Sequence, residues 1–410
     1  MPCGNSEGML FGDSEEILSG NSEEMPCGNS EEMIFGNSEE IRVRETAERT
    51  GTDVEKLLGA IRELFPEDAG RVTLMEVCGT HTMAIGRSGI RQLLPPQVRL
   101  LSGPGCPVCV TPAGRIDQML RLSEEPGVIL AVYGDMIRVP GSRRGDTLFA
   151  RRAGGAKITI VYSAMDALDL AEKNPDKEIV FPAVGFETTA PGTAAAVRAA
   201  ADRRIGNFTI LPLLKKVEPA LRALLQAPDF GVQGFLCPGH VATIIGESGF
   251  RFLPEEYSVP AVISGFEPED ILVSVWRLLR QIRSGKAVLE NEYTRAVAPE
   301  GNPLAMQMMQ EVFCTKDERW RGLGMVPEGG MTLREAYSAF NAEDRFSSIL
   351  REVSAEGEET AGCRCGEILQ GRAEPRDCPL FGRACTPEMP AGPCMVSSEG
   401  TCAAAWKYDI

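Results

Sequence analysis

The sequence predicts an α/β fold: two similar parallel-sheet α/β domains facing a cleft, with a cysteine-rich third domain at the C-terminus. Three observations predict it. Between residues 71 and 265, short β-rich runs alternate with helical segments, the pattern of βαβ units whose parallel sheets are covered on both faces. The runs divide into a set of four and a second set of four. After Thr360 the chain is rich in Cys, Gly and Pro and short of apolar runs; such a segment cannot build a core unaided and needs a metal or crosslinks.

In chain order, residues 1–42 come first, a tandem eight-residue repeat: CGNSEGML from Cys3, FGDSEEIL from Phe11, SGNSEEMP from Ser19, CGNSEEMI from Cys27 and FGNSEEIR from Phe35. Each unit is too short, too acidic and too rich in Gly, Asn and Ser to bury a face, so a disordered extension is expected and not a solenoid. Residues 52–64 carry apolar side chains at helical spacing and predict an amphipathic helix. The first four β-rich runs are 71–77, 97–103, 127–133 and 157–163, giving a first domain over 43–170. The second four are 178–185, 207–214, 231–237 and 259–265, giving a second domain over 171–290. Residues 291–410 form the third unit, with helices expected over 303–313 and 331–351 ahead of the cysteine-rich tail.

Composition bounds the function. The chain has 410 residues, 43% hydrophobic and 24% charged, which suits a soluble globular protein and excludes collagen-like or wholly disordered classes. Net charge is −16, and residues 1–40, with nine Glu, one Asp and no Lys or Arg, hold −10 of it. No basic stripe is present, which argues against nucleic acid as the main partner. No run approaches the ~18 apolar residues of a spanning helix, and the opening residues lack the basic start and apolar run of a signal peptide. A cytoplasmic protein is expected. Thirteen cysteines against two histidines, His81 and His240, point in a reducing compartment to metal or redox chemistry and not to a disulfide framework.

Ligand sites in open α/β sheets lie beyond the carboxyl ends of the strands. The unusual motifs sit there: 71–77 runs into CGTH, 97–103 into GPGCPVC, 178–185 into GFETTAP and 231–237 into CPGH. Cys106 and Cys109 make a C-x-x-C, the spacing of a reactive dithiol or of two soft ligands to one metal. Consecutive parallel strands tend to be neighbours, which would bring Cys78 and His81 close to that pair. Three thiols and an imidazole there suit a low-valent iron or a redox relay. Glu187, Thr188 and Thr189 can bind a partner, orient a ligand or move protons; the alternative is a helix N-terminus capped by Thr. His240 reads either as a site residue or as a hydrogen-bonded turn histidine.

The tail places Cys363, Cys365, Cys378, Cys385, Cys394 and Cys402 within 40 residues. Thiolates select zinc, copper(I) or iron–sulfur clusters. A single C-x-C followed by wide spacings lacks the paired knuckles of structural zinc and suits a [4Fe–4S] cluster on four cysteines, leaving two over. Structural zinc and a disulfide-linked tail remain alternatives. There is no Walker A loop, no G-x-G-x-x-G after a first strand and no G-x-S-x-G elbow.

Together EVCGTHTMAI, LLSGPGCPVCVTP, AVGFETTAPGTA, CPGHVATIIG and CPLFGRACTPEMPAGPCMVSSEGTCAAAWKY resemble the HypD family of hydrogenase formation proteins, over essentially all of residues 50–410. The resemblance implies two similar α/β domains and a cluster-bearing third, an iron–sulfur domain. It implies a role in assembling the Fe(CN)2CO part of the [NiFe]-hydrogenase centre, with a HypC-type chaperone sharing the iron and a HypE-type protein delivering cyanide. The hydrogenase large subunit is then an indirect partner. Cys78, Cys106 and Cys109 match the family's essential thiols near the nascent Fe(II), which carries cyanide and carbonyl. The family spacing C-x14-C-x6-C-x16-C selects Cys363, Cys378, Cys385 and Cys402 for the cluster. Cys365 and Cys394 then remain as a redox pair, similar to ferredoxin:thioredoxin reductase. The octapeptide repeat departs from the family pattern. Two functions follow as expectations: a redox-active assembly scaffold that works with its partners, or a freestanding iron–sulfur-linked dithiol reductase. CGTH and GFETTAP favour the scaffold, because a simple reductase needs neither.

Overall fold

The computed structural model describes residues 53–66, 68–228 and 230–408; the octapeptide repeat lies outside them. All eight β-rich runs form strands: β1 Val72–Glu76, β2 Val98–Ser102, β3 Val128–Val132, β4 Ile158–Ile160, β5 Glu178–Gly185, β6 Phe208–Leu214, β7 Gly234–Pro238 and β8 Ala261–Ser264. A short β9, Leu289–Asn291, follows β8. Strands β5 and β6 are buried along almost their whole length, as expected of parallel strands covered on both faces.

The strands sort into two parallel sheets, ordered β2-β1-β7-β8-β9 and β4-β3-β5-β6. This differs from the expected split into a first four and a second four. The chain lays down β1 and β2, leaves to build the whole of the second sheet, and returns as β7 beside β1. The boundary expected at residue 170 therefore falls between two strands of one sheet. Local pattern marks a buried strand but does not name its partner; a crossover can return to either edge of an existing sheet.

Helices cover the sheets because each presents one apolar face. Asp53–Leu64 and Pro268–Ser284 pack together on the first sheet through Leu57, Ile61, Leu272 and Trp276. Ala190–Arg203 covers the second sheet with a stripe of small residues, Ala190, Ala194, Val197 and Ala200.

The expected helix over 303–313 is present as Pro303–Val312, started by Pro303 and the Asn302 side chain, which accepts from the Ala305 N–H. The expected helix over 331–351 is present only in part: its first residues belong to a strand, and the rest is broken into the short helical pieces Glu335–Phe340, Ala342–Arg345 and Ser347–Leu350. Residues 313–333 form a hairpin, β10 Phe313–Trp320 with β11 Gly324–Leu333, ahead of those short helices. The segment from 331 has apolar residues at helical spacing, but Met331 and Leu333 pack as strand residues against the second sheet's core. Lys215, fully buried just past the end of β6, ties the hairpin down: its Nζ donates to Arg319 O at 2.9 Å and lies 3.4 Å from Glu318 Oε1. Burial pushes this lysine down to about 8, and Glu318 opposes that shift.

The tail has little regular structure beyond the helices Cys365–Leu369 and Thr401–Tyr408. Its cysteines belong to the same buried cluster as Cys106, Cys109 and Trp320, so it packs on the α/β body. None of the described helices is long and apolar enough to cross a membrane.

Candidate functional site

The first group of sulfurs stands at the carboxyl ends of β1 and β2, which pair in parallel as their order in the chain suggested. Cys78 is the last extended residue before the helix Gly79–Ser88. The loop after β2 folds directly over it. Gly79 N–H donates to Gly105 O at 3.0 Å, and a Cβ on Gly105 would lie 2.2 Å from the Cys78 nitrogen. Only glycine fits there. Cys106 and Cys109 are joined as a disulfide with Cα atoms 5.2 Å apart. They lie in the turn before the helix Ala113–Leu122 and not inside it. Burial pushes the Cys78 thiol up to about 12; the His81 backbone opposes this, and the carboxylates of Glu399 and Glu76 add to it.

Glu76, the last residue of β1, is completely buried beneath Cys78. Its carboxylate accepts from the Cys78 N–H at 3.1 Å and from the Thr82 hydroxyl at 2.5 Å, with Arg91 at 3.7 Å. Burial pushes it up to about 7 against those partners. Sequence reasoning did not single it out, although an acidic residue inside an otherwise apolar strand was a readable signal.

His81 is fully buried on the helix that follows Cys78. Its Nε2 lies 2.8 Å from Gly265 O and its Nδ1 has no partner. Burial pushes it down to about 4, so it is neutral at pH 7. A neutral ring whose Nε2–H donates to Gly265 leaves Nδ1 as a free acceptor. His81 and His240 stack on opposite sides of one ring, with centroids 4.5 and 3.9 Å from Phe266. His240 is exposed and partial desolvation lowers it; Cys237, three residues before it, is buried in β7, its thiol pushed up by desolvation.

The GFETT segment ends β5 on the second sheet. Glu187 is buried; its Oε1 accepts from the Val217 N–H at 3.0 Å and its Oε2 has no partner. Burial pushes it up to about 7. Thr188 is exposed, and Thr189 stands at the N-cap of Ala190–Arg203 without a side-chain cap bond; its hydroxyl donates to Phe186 O at 3.2 Å. Glu187 bonds within its own sheet's loops and not to the cysteine loops.

The second group of sulfurs is the tail. Cys363, Cys365, Cys378, Cys385, Cys394 and Cys402 all line one small cavity, together with Ile368, Phe381 and Met395. Cys365 and Cys394 have their sulfurs 3.0 Å apart, the pair left over by the family spacing. The Ala391 N–H donates to Cys385 Sγ at 3.2 Å. Burial pushes Cys363 up to about 12, and the neighbouring sulfurs add to it. Soft donors crowded round a small apolar void are costly to ionise alone and well matched to a thiophilic metal or cluster, which supplies the compensating charge. Among the described residues no three such side chains already stand in metal-ligand geometry.

The two groups meet through residues 397–399. The Ser397 hydroxyl lies 3.3 Å from Cys106 Sγ and donates to Asp135 Oδ2 at 3.3 Å. Glu399 accepts from the Thr80 hydroxyl at 2.8 Å. These polar residues were not singled out in the sequence, because polar side chains in a polar tail carry no local signal.

Fold and site define an α/β protein with two sets of largely buried cysteines, one at the strand ends of a parallel sheet and one in an attached tail. The family model described as "HypD: Hydrogenase formation hypA family" matches residues 52–409, and the chain belongs to that family. It is 45% identical over 365 residues to hydrogenase maturation factor HypD2 of Bradyrhizobium diazoefficiens, covering 87% of this chain and 95% of that one. It is 46% identical to hydrogenase maturation factor HypD of Rhizobium leguminosarum bv. viciae, over 82% of this chain and 87% of the relative. Against hydrogenase maturation factor HypD of Escherichia coli K12 the identity is 44%, over 82% and 88%.

Proposed function

We propose that this member of the hydrogenase maturation family scaffolds assembly of the Fe(CN)2CO unit of [NiFe]-hydrogenase with a HypC-type chaperone and a HypE-type cyanide donor. The incoming iron is the cargo, held by thiols from Cys78, Cys106 and Cys109. Cys363, Cys378, Cys385 and Cys402 would hold a [4Fe–4S] cluster, which supplies single electrons when bound. The observation that carries this reading is the juxtaposition of the two sulfur groups: six tail cysteines face one cavity, and the same tail touches Cys106 and Thr80.

The chain's own residues then have definite tasks. Cys365 and Cys394 form the dithiol that reduces the Cys106–Cys109 disulfide by thiol–disulfide exchange. One S–S bond breaks at Cys106–Cys109 and one forms at Cys365–Cys394, while two electrons and two protons move to the first pair. Glu76 holds the Cys78 backbone in place, and His81, neutral, offers Nδ1 as an acceptor. The disulfide and the close thiol pair also favour a second reading, a freestanding dithiol reductase. Reducing the anaerobic protein with dithionite should convert Cys106 and Cys109 to thiols, read by alkylation and mass spectrometry. Rapid turnover of a generic disulfide without partner proteins would favour the reductase instead.

A further inference from the structure

We propose that the acidic segment 1–42 docks on the folded body of its own chain, in an arginine-lined groove along the outer edge of β2. The sheet order places β2 at an edge of the first sheet. Its odd positions face β1: Gln97 O accepts from the Val72 N–H, and the Gly103 N–H donates to Glu76 O. Even positions therefore turn their backbone groups away from β1. The Val98 N–H is taken by Pro95 O and Leu100 O by Arg91 Nε. The N–H groups of Leu100 and Ser102 stand on the open side. Edge groups of this kind are a template for an added extended segment.

The groove has a volume of about 590 Å³, the size of a built ligand site. Residues 71–73 and β2 line it from the sheet, and residues 373–376 line it from the tail. Four arginines, Arg71, Arg91, Arg99 and Arg376, face one acid, Glu374. That excess stands against a net charge of −16 for the chain. Arg99 reaches across to Glu374, with Nη2 2.7 Å from Oε1, but both side chains are about half exposed. An exposed pair is worth little, so another carboxylate can replace Glu374 at small cost. Residues 1–40 supply such carboxylates, nine Glu and one Asp with no Lys or Arg. The repeat also sets apolar residues beside its acids, most fully in Glu31-Glu32-Met33-Ile34-Phe35. The groove has the same mixture, its arginines standing beside Leu101, Ile368 and Ala405. Acidic segments poor in apolar residues order on a partner surface and not alone. The reach is sufficient. The helix Asp53–Leu64 ends beside the groove, where the Gln97 side chain donates to Phe65 O at 2.6 Å. Residues 36–52 can span ~55 Å, well beyond the ~18 Å length of that helix.

The test compares the full-length protein with a form lacking residues 1–42, both purified anaerobically. Amide hydrogen exchange is read by mass spectrometry on peptides covering 97–103. Exchange there should be about tenfold slower in the full-length chain, the protection that a linked segment at ~1 mM effective concentration gives a site of ~0.1 mM affinity. Salt at about 1 M should remove the difference, because exposed charges are then screened. A third form, with the nine glutamates of residues 1–40 replaced by Gln, keeps the segment and drops most of its charge. It should exchange as fast as the truncated form, and Arg99→Gln in the full-length chain should move exchange the same way. A synthetic peptide of residues 28–40, added to the truncated form at about 1 mM, should restore the protection. Equal exchange in the full-length and truncated forms would overturn the proposal. Protection kept in the Gln form would overturn it too, since the arginines would then not be what holds the segment. Slow exchange in both forms, each a dimer by light scattering, would place a second copy of this chain on the β2 edge and likewise overturn it.

Discussion

The two cysteine groups differ in what holds them. Cys78, Cys106 and Cys109 stand at the ends of paired parallel strands, and their loops are fixed by the β1–β2 register and by the close approach of Gly105 to Cys78. The tail cysteines sit among turns and two short helices, around a cavity whose walls are mostly their own sulfurs. The first group is a rigid site that exists because the sheet exists. On the proposed reading, the second is a site whose local stability would depend on what the sulfurs bind, as in small metal-dependent domains. The same element, thiol sulfur, is thus presented once by a preorganised scaffold and once by a segment that its own ligand would complete.

The largest effect should come from breaking the second group. Cys378→Ala or Cys385→Ala is expected to abolish bound iron and hydrogenase maturation together. Limited proteolysis should then cut within 361–408 while the two sheets stay protected. Iron retained at the wild-type level in either variant would remove that cysteine from the cluster. Next, Cys78→Ala, Cys106→Ala or Cys109→Ala should abolish maturation but leave iron–sulfur absorption and thermal stability close to wild type. Normal maturation in any one of them would take that residue out of the site.

Two smaller effects sharpen the rigid side of the comparison. Gly105→Ala forces a Cβ against the Cys78 nitrogen and should cost about 2–3 kcal/mol in chemical denaturation, the range for overpacking a tight site. The Glu187 carboxyl, raised to about 7 by burial, gives a pH dependence with a definite sign. The folded state binds this proton more tightly than the unfolded state, so stability is lost as pH rises from about 4.5 to about 7. Glu187→Gln keeps the acceptor for the Val217 N–H and cannot ionise. It should remove that slope and raise stability at pH 8 by up to about 3 kcal/mol relative to wild type. Parallel stability curves from pH 4 to pH 8 would contradict the assignment.

Much of the fold was legible because buried parallel strands are short continuous β-rich runs, and all eight were visible. Their partners were not. Nothing within residues 127–214 says that β3 to β6 close a sheet of their own before β7 returns to β1. The hairpin was hidden by its composition: Thr315–Arg319 is polar, and Gly324, Gly329 and Gly330 interrupt β11. Its burial is dictated by the second sheet and the tail, which no local window contains. The cysteine motifs announced themselves by residue type. Glu76 was readable as a charge inside an apolar strand. Ser397 and Asp135 reach Cys106 only through contacts distant in the chain, so only the assembled chain could reveal them.

The most direct test of the central claim is an infrared spectrum of the anaerobically purified protein, co-produced with its HypC-type and HypE-type partners, in the window where metal-bound cyanide and carbonyl absorb. The account predicts bands there that disappear in Cys78→Ala while the cluster persists. A blank window, with the cluster intact and the partners bound, would contradict the assembly scaffold and favour the cluster-linked dithiol reductase.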